Sequence, residues 1–408
     1  MNRYRMRFAP NVWTPKLNPW LVNLLAPLRQ KRQWSELRIR NTRIVGEQIV
    51  RDALEDDCGV LLMPNHSSHA DPFTIYAAAD SIGTALFVMA TWHVFDGKPW
   101  LTQQLLRRHG CFSVDREAND IGAFRLATGI LQDKKQPLVL FPEGEIYHCN
   151  DRVTPFRDGA SAIAVAAARK AKRKIVCIPC AITYRYDEDP TEQLTETMGQ
   201  LEESILWRRR TGRPLDERIY HFAETLLAVK ELEYFEQAGS GPLPDRIRIL
   251  GDHILSQVES RHGIETSTGS VPERVKAARR TIIAKIQDGE STPETANKLK
   301  HKLDDDLEDL FLVVQSFSYP GDYVKAKPTI ERMAETLDKF EEDILRQPTA
   351  SIKAERSVRV QFGDPVEVSG DRKDKGQTTR VTGEIESRVQ SMLDEGVQWR
   401  LSADTNSQ

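Results

Sequence analysis

The chain has 408 residues, 39% of them hydrophobic and 29% charged, with a formal net charge of −3. That length and composition allow one large folded domain or two ordinary ones and exclude a low-complexity or collagen-like chain. No run reaches the ~20 apolar residues that a bilayer-spanning helix requires, since Asn23 and Pro27 interrupt even the nearest approach, Pro19 to Leu28.

Charge is unevenly spread along the chain. Residues 1–51 hold eleven Lys or Arg against Glu36 and Glu47, a balance of 11 − 2, or about +9, which leaves about −12 for the remainder. Trp13, Trp20, Leu21, Val22, Leu24, Leu25, Leu28 and Trp34 interleave with those cations. A mixture of aromatic, aliphatic and basic residues suits a lipid headgroup layer, so residues 1–34 are expected to rest on an anionic membrane surface; the plainer alternative is a basic helix packed on its own domain. No nucleic-acid-binding motif accompanies the charge, and nucleic acid is not an expected partner. Five cysteines without metal-type pairing read as small buried hydrophobes of a reducing compartment, and no secretory signal is evident. The expected location is therefore cytoplasmic, peripheral to the inner face of the membrane.

After the basic segment, Gly59 to Met63 reads as a strand and Pro72 to Ala79 as a helix. Asp71 is expected to cap that helix, with Pro72 at its first position. Thr84 to Ala90 is a second strand. A helix from Pro99 to Arg108, with Leu101, Leu105 and Leu106 on one face, leads to a third strand, Cys111 to Val114. A helix from Gly122 to Gln132 precedes a fourth strand, Pro137 to Phe141, and an alanine-rich helix from Gly159 to Lys172 precedes a fifth, Lys174 to Tyr184. This alternation predicts an α/β fold with a mostly parallel, helix-covered sheet. Residues 187–354 show helical spacing throughout and carry no readable motif. Strand character returns at Ser357 to Phe362 and Val366 to Val368, before a last helix from about Val381 to Leu393. The expected organisation is a basic segment at 1–51, an α/β domain at 52–186 and 355–397, a large all-helical insertion at 187–354, and a disordered tail at 398–408.

Three strands end in residues able to do chemistry: Asn65-His66 with Asp71, then Asp115-Arg116, then Glu143-Gly144-Glu145. His66-Ser67-Ser68-His69-Ala70-Asp71 resembles the H-x4-D box of the glycerolipid acyltransferases, the family that includes 1-acylglycerol-3-phosphate acyltransferase. Gly110 to Arg116 resembles the family's second block and Phe141-Pro142-Glu143-Gly144 the start of its third. Pro155 to Ala160, which contains Arg157, looks like the segment just beyond, and Val176 to Ile182 is similar to the fourth block. The resemblance covers about residues 58–185, together with Val358 to Val368. It implies that Arg116, Glu143 and Gly144 bind a glycerol-phosphate acceptor, and that acyl-CoA or acyl carrier protein supplies the chain with no cofactor and no metal. The chain departs from the family pattern where Glu145-Ile146 stands in place of Thr-Arg, which removes one phosphate-binding arginine and adds a carboxylate that would repel a phosphate; Arg152 or Arg157 can compensate, and the alternative is an acceptor without a phosphate monoester.

The chemistry of the residues agrees with that resemblance. Acyl transfer from a thioester to an alcohol needs a base for the hydroxyl proton, and histidine titrates in the right range. His66 is the expected base. Asp71, across one tight turn, can fix its tautomer and stabilise the imidazolium. The expected activity is transfer of a fatty acyl group to the hydroxyl of a lysophospholipid or glycerol-phosphate-type acceptor. Two other readings stand beside it. His66, His69, Asp71, Glu143 and His148 include metal-ligand types and allow a metal-dependent hydrolase, and the helical block allows a non-enzymatic membrane scaffold.

Overall fold

The computed structural model describes residues 11–116, 120–265, 269–287 and 293–404. Residues 1–10 of the basic segment and 405–408 of the expected tail lie outside the described residues. The chain divides into two compact units, one formed by 11–193 with 351–404 and the other by 194–350.

The first unit begins with α1 (Pro19–Leu24) and α2 (Ala26–Ser35). It continues through β1 (Ile39–Val45), α3 (Glu47–Glu55), β2 (Gly59–Pro64), α4 (Asp71–Ile82), β3 (Phe87–Thr91), α5 (Trp100–Arg108), β4 (Cys111–Val114), α6 (Ile121–Asp133), β5 (Leu138–Val139), α7 (Gly159–Ala168) and β6 (Ile175–Tyr186). The chain then runs through α8 (Thr191–Leu206), α9 (Leu215–Phe235), α10 (Leu243–His262), α11 (Val271–Gln287), α12 (Pro293–Phe317), α13 (Tyr323–Ala326) and α14 (Ile330–Asp343). It returns with β7 (Arg356–Phe362), β8 (Val366–Val368) and α15 (Gln377–Asp404).

Eight strands form one sheet in the order β1-β7-β6-β2-β5-β3-β4, with β8 also paired to β6. Every pairing is parallel except those of β6 with β7 and with β8. β2 lies in the middle and is buried along its whole length, which is why it reads as an unbroken apolar run rather than an alternating one. On one face Val60 and Leu62 pack with Ile75, Ala78 and Ala79 of α4 and Val50 of α3. On the other, Leu61 and Met63 pack with Leu131 of α6, Ala164 of α7 and Ile385 and Leu393 of α15. Burying one such side chain contributes roughly 1.5–3 kcal/mol, so the central strand is among the least movable parts of the molecule. Late in the chain, β7 inserts beside β6 and makes the sheet mixed.

Several boundaries differ from the sequence expectation. Residues 39–51, expected as part of a basic segment, form β1 and the first part of α3; β1 is an edge strand whose exposed residues, Arg40, Asn41 and Arg43, are polar or charged, so its apolar alternation is faint. The segment before α1 runs beside β4, with Ser113 N–H donating to the Trp13 carbonyl at 2.9 Å and Trp13 N–H to Ser113 Oγ at 2.8 Å. Of the three leucines expected to form the packed face of α5, only Leu106 meets the core; Leu101 is 72% exposed. Residues 398–404, expected in the disordered tail, continue α15 as helix. All five cysteines are free and buried, and among the described residues no helix is long and apolar enough to cross a membrane.

The second unit is helical, with a core that includes Leu250, Leu255, Ile282 and Leu310. A repeated clasp ties its helices in sequence. Arg218 at the start of α9 grips Glu202 of α8 (3.1 and 2.8 Å), Arg246 of α10 grips Glu231 of α9 (2.9 and 2.7 Å), and Arg274 of α11 grips Glu259 of α10 (2.9 and 2.7 Å). Each is a two-pronged guanidinium–carboxylate contact. The arginines fall at even intervals of 28 residues, 218 to 246 and 246 to 274, the signature of a repeated helical device.

Candidate active site

The parallel ladder of β2 with β6 ends at Pro64 opposite Cys180. Beyond it, β6 continues without a strand on that side, and two buried amides replace the missing backbone. Asn65 Nδ2 donates to the Ile182 carbonyl at 3.1 Å while its Oδ1 accepts from Ile182 N–H at 2.7 Å; Asn150 makes the same pair with Tyr184 at 2.8 and 2.9 Å. Buried backbone groups need such partners, and by supplying them Asn65 fixes the turn that presents His66.

His66 Nδ1 lies 2.9 Å from Asp71 Oδ2. Asp71 is fully buried, and its two oxygens divide the work: Oδ2 also accepts from Ser68 N–H at 2.9 Å, and Oδ1 accepts from the Tyr184 hydroxyl at 2.7 Å. The expectation that Asp71 caps α4 is corrected here. Ala70 occupies the N-cap, Asp71 is the first helical residue, and no side chain caps the helix, because both carboxylate oxygens are already engaged. Its charge at the helix N-terminus is still favourable. Burial and the adjacent Asp71 carboxylate push the Tyr184 phenol well above its usual range, so it remains an O–H donor. With Asp71 accepting at Nδ1, the His66 proton sits there and Nε2 carries the lone pair. The ring stacks on Phe141 with centroids 4.1 Å apart, which places a residue of the third strand end directly against the histidine.

Glu143 approaches the same turn from β5. Its Oε1 accepts from His66 N–H at 2.8 Å and its Oε2 from Thr154 N–H at 3.3 Å, and the residue is 3% exposed. The carboxyl thus braces the backbone of His66 and faces inward, where the family resemblance had implied contact with an acceptor. Burial pushes its pKa up to about 8, with the backbone donors pulling the other way. The native state therefore binds this proton more tightly than the unfolded chain, whose carboxyl has an ordinary value near 4.5. Its stabilising contribution is complete below that value and is lost as pH rises through about 8. Glu143→Gln should flatten the fall in thermal stability between pH 4.5 and 8.5, measured by circular dichroism; an unchanged slope would contradict the assignment.

Gly144 is the next residue, with a positive φ of +78°, and a Cβ there would meet the Arg157 guanidinium at 3.0 Å. Only glycine suits both demands. Its carbonyl accepts from Arg116 Nη1, and the same nitrogen lies 2.8 Å from Glu145 Oε1. Burial works against the charge of Glu145, but Arg116 and Arg157 beside it hold its carboxyl below the usual range. Arg157 also donates its backbone N–H to the Pro142 carbonyl at 2.9 Å.

All six expected site residues, His66, Asp71, Arg116, Glu143, Gly144 and Arg157, therefore meet in one network at the carboxyl ends of β2, β4 and β5, where α/β sheets place their ligands. Sequence reasoning missed Tyr184, Thr154, Asn150 and the ring of Phe141. Of the ligand types in the hydrolase alternative, the Asp71 and Glu143 oxygens accept from protein donors, whereas His69 and His148 bring ring nitrogens within 4.8 Å of each other.

Residues 42–183 match the family model described as Acyltransferase. This stretch is a domain of the glycerolipid acyltransferase family. The match supports acyl transfer as the general chemistry of the acyltransferase domain. It ends before β7, β8 and α15, so part of the sheet that supports the domain lies beyond the matched residues. No match to a curated protein was found for the chain.

Proposed function

We propose that this protein moves a fatty acyl group from a thioester, acyl-CoA or acyl carrier protein, to the hydroxyl of a lysophospholipid or glycerol-phosphate-type acceptor. The observation that carries the reading is the His66–Asp71 pair at 2.9 Å, with Asp71 held by two further donors. His66 Nε2 takes the acceptor's hydroxyl proton as the oxygen attacks the thioester carbonyl carbon. The tetrahedral intermediate then collapses, the C–S bond breaks, and the imidazolium returns the proton to the departing thiolate. Asp71 stabilises the imidazolium between those steps. No protein nucleophile is required. Product identification by mass spectrometry, after offering the purified chain a panel of lysolipids with acyl-CoA and acyl carrier protein donors, tests the reading. Thioester consumption that persists in His66→Ala would sink it.

The same reading places the chain on the inner, anionic face of a membrane. Supporting it, Trp20 of α1 is 70% exposed and Leu24 and Leu28 are 57% and 62% exposed, beside the exposed Lys31 and Arg32. The opposite side of these helices is packed, with Val22 buried and Arg29 paired to Asp80 at 2.6 Å. Removing residues 1–34 would disturb that packing, so point changes give the cleaner test. Trp20→Ser with Leu24→Ser and Leu28→Ser should reduce sedimentation with anionic vesicles about tenfold while leaving turnover of a soluble donor and acceptor in place. Unchanged sedimentation would reject the membrane contact.

A further inference from the structure

In a site built to hold a phosphate monoester, arginines converge on an empty position that the dianion fills. Here the corresponding position already holds a carboxylate. Arg116 is engaged twice by the turn after β5, at the Gly144 carbonyl and at Glu145 Oε1. Arg157 lies against the other side of the turn, its guanidinium 3.0 Å from where a Gly144 Cβ would stand. Glu145 and Arg116 are only 21% and 20% exposed at their side chains, so the pair is screened far less than a surface ion pair. Within this cluster Glu145 offsets one of the two arginine charges. A phosphate monoester, which is largely dianionic at neutral pH, would have to displace Glu145 or lie beside it.

We propose that Glu145 is the acceptor-selecting residue: by occupying the anion position between Arg116 and Arg157, it excludes acceptors bearing a phosphate monoester and admits lysolipids whose headgroup carries at most one negative charge there. The inference rests on the acyl-transfer reading and narrows it. It gives a structural basis, the ion pair with Arg116, to the acceptor without a phosphate monoester that the departure from Thr-Arg had raised as an alternative. A purely structural clamp, in which Arg116 merely holds the turn shut, predicts that substitution changes stability without changing the choice among acceptors.

The test offers the full chain palmitoyl-CoA with three acceptors of equal chain length: 1-acylglycerol 3-phosphate, lysophosphatidylglycerol and monoacylglycerol. In the native protein, kcat/KM for the phosphate monoester should fall at least about tenfold below that for the better of the other two. Glu145→Gln, which keeps the shape and removes the charge, should narrow that ratio at least about tenfold. Glycerol 3-phosphate binding followed by calorimetry gives a readout independent of turnover, and should be at least about tenfold tighter in Glu145→Gln. A native preference for the monoester, or a ratio that does not move in the variant, overturns the proposal and leaves acyl transfer standing. Absence of thiol release with every acceptor, in protein shown to be folded, overturns acyl transfer itself and the proposal with it.

Discussion

Replacing His66 with alanine is expected to lower kcat for acyl transfer about 10³-fold, with a matching fall in kcat/KM and little change in KM. General-base contributions lie in the range of roughly 10²–10⁴-fold, and a group that acts only in the transition state lowers both constants together. The loss should be large because no alternative base stands ready: the Asp71 oxygens are held by the Ser68 amide and the Tyr184 hydroxyl, and Glu143 is turned inward onto the His66 and Thr154 amides. Asp71→Asn should cost almost as much, roughly 10²–10³-fold, since the amide can offer an N–H to Nδ1 and so favour the tautomer that cannot accept a proton at Nε2. Tyr184→Phe is a milder and more diagnostic change. It leaves the base in place but strips one donor from the fully buried Asp71 carboxylate. Removing such a donor costs about 1–3 kcal/mol of stability and should slow turnover by about tenfold at most. Release of thiol from acyl-CoA, followed continuously, measures all three. Near-native kcat in His66→Ala would mean that some other group takes the proton.

What could be read from the sequence and what could not divides along physical lines. The turn at His66 was legible because its signals are local: an apolar run buried on both faces ends in Asn65-His66, and Asp71-Pro72 marks the start of a helix. The meeting of three strand ends was legible because parallel strands joined by helices bring their carboxyl ends to one edge. The support of the site was not. Tyr184 lies 113 residues from the carboxylate it serves, and nothing near it in sequence distinguishes it from any tyrosine late in a strand. The cap assigned to Asp71 failed for a related reason, because a local rule gave way to a buried network that engages both oxygens. β1 was hidden by its own position at the sheet edge, where a strand has little apolar alternation to show. Glu145 was visible in the motif as a carboxylate that would repel a phosphate, but its partner, Arg116, comes from another strand end and was not legible. In the helical unit the information was present and unread: Leu-Asp-Glu-Arg before Ile219, Pro-Asp-Arg before Ile247 and Pro-Glu-Arg before Val275 open successive helices.

That repeat leads to the largest stability effect expected in the molecule. Arg246→Ala should destabilise the helical unit by about 3–4 kcal/mol, because it leaves the Glu231 carboxylate buried without its partner. Arg246 is 8% and Glu231 2% exposed, and the two share two contacts of 2.9 and 2.7 Å. For a unit of this size the change corresponds to a fall of about 10 °C in its unfolding midpoint, followed by circular dichroism on the full chain. The net worth of the intact pair is a separate and smaller quantity, since two buried charges cost solvation that their attraction only partly offsets. Glu231→Leu combined with Arg246→Met should therefore recover most of the loss, short of the acceptor that Glu231 Oε2 provides for Gly239 N–H at 2.7 Å. Acid supplies a further check on the sign. The hydrogen bond from Arg246 holds the Glu231 carboxyl below its ordinary range, so its contribution is present above about pH 4.5 and is lost as pH falls through the depressed native value. Arg246→Ala should blunt that acid-induced loss. Equal destabilisation by the single and the paired replacement would show instead that the loss comes from the intact clasp's own net contribution and not from a stranded carboxylate.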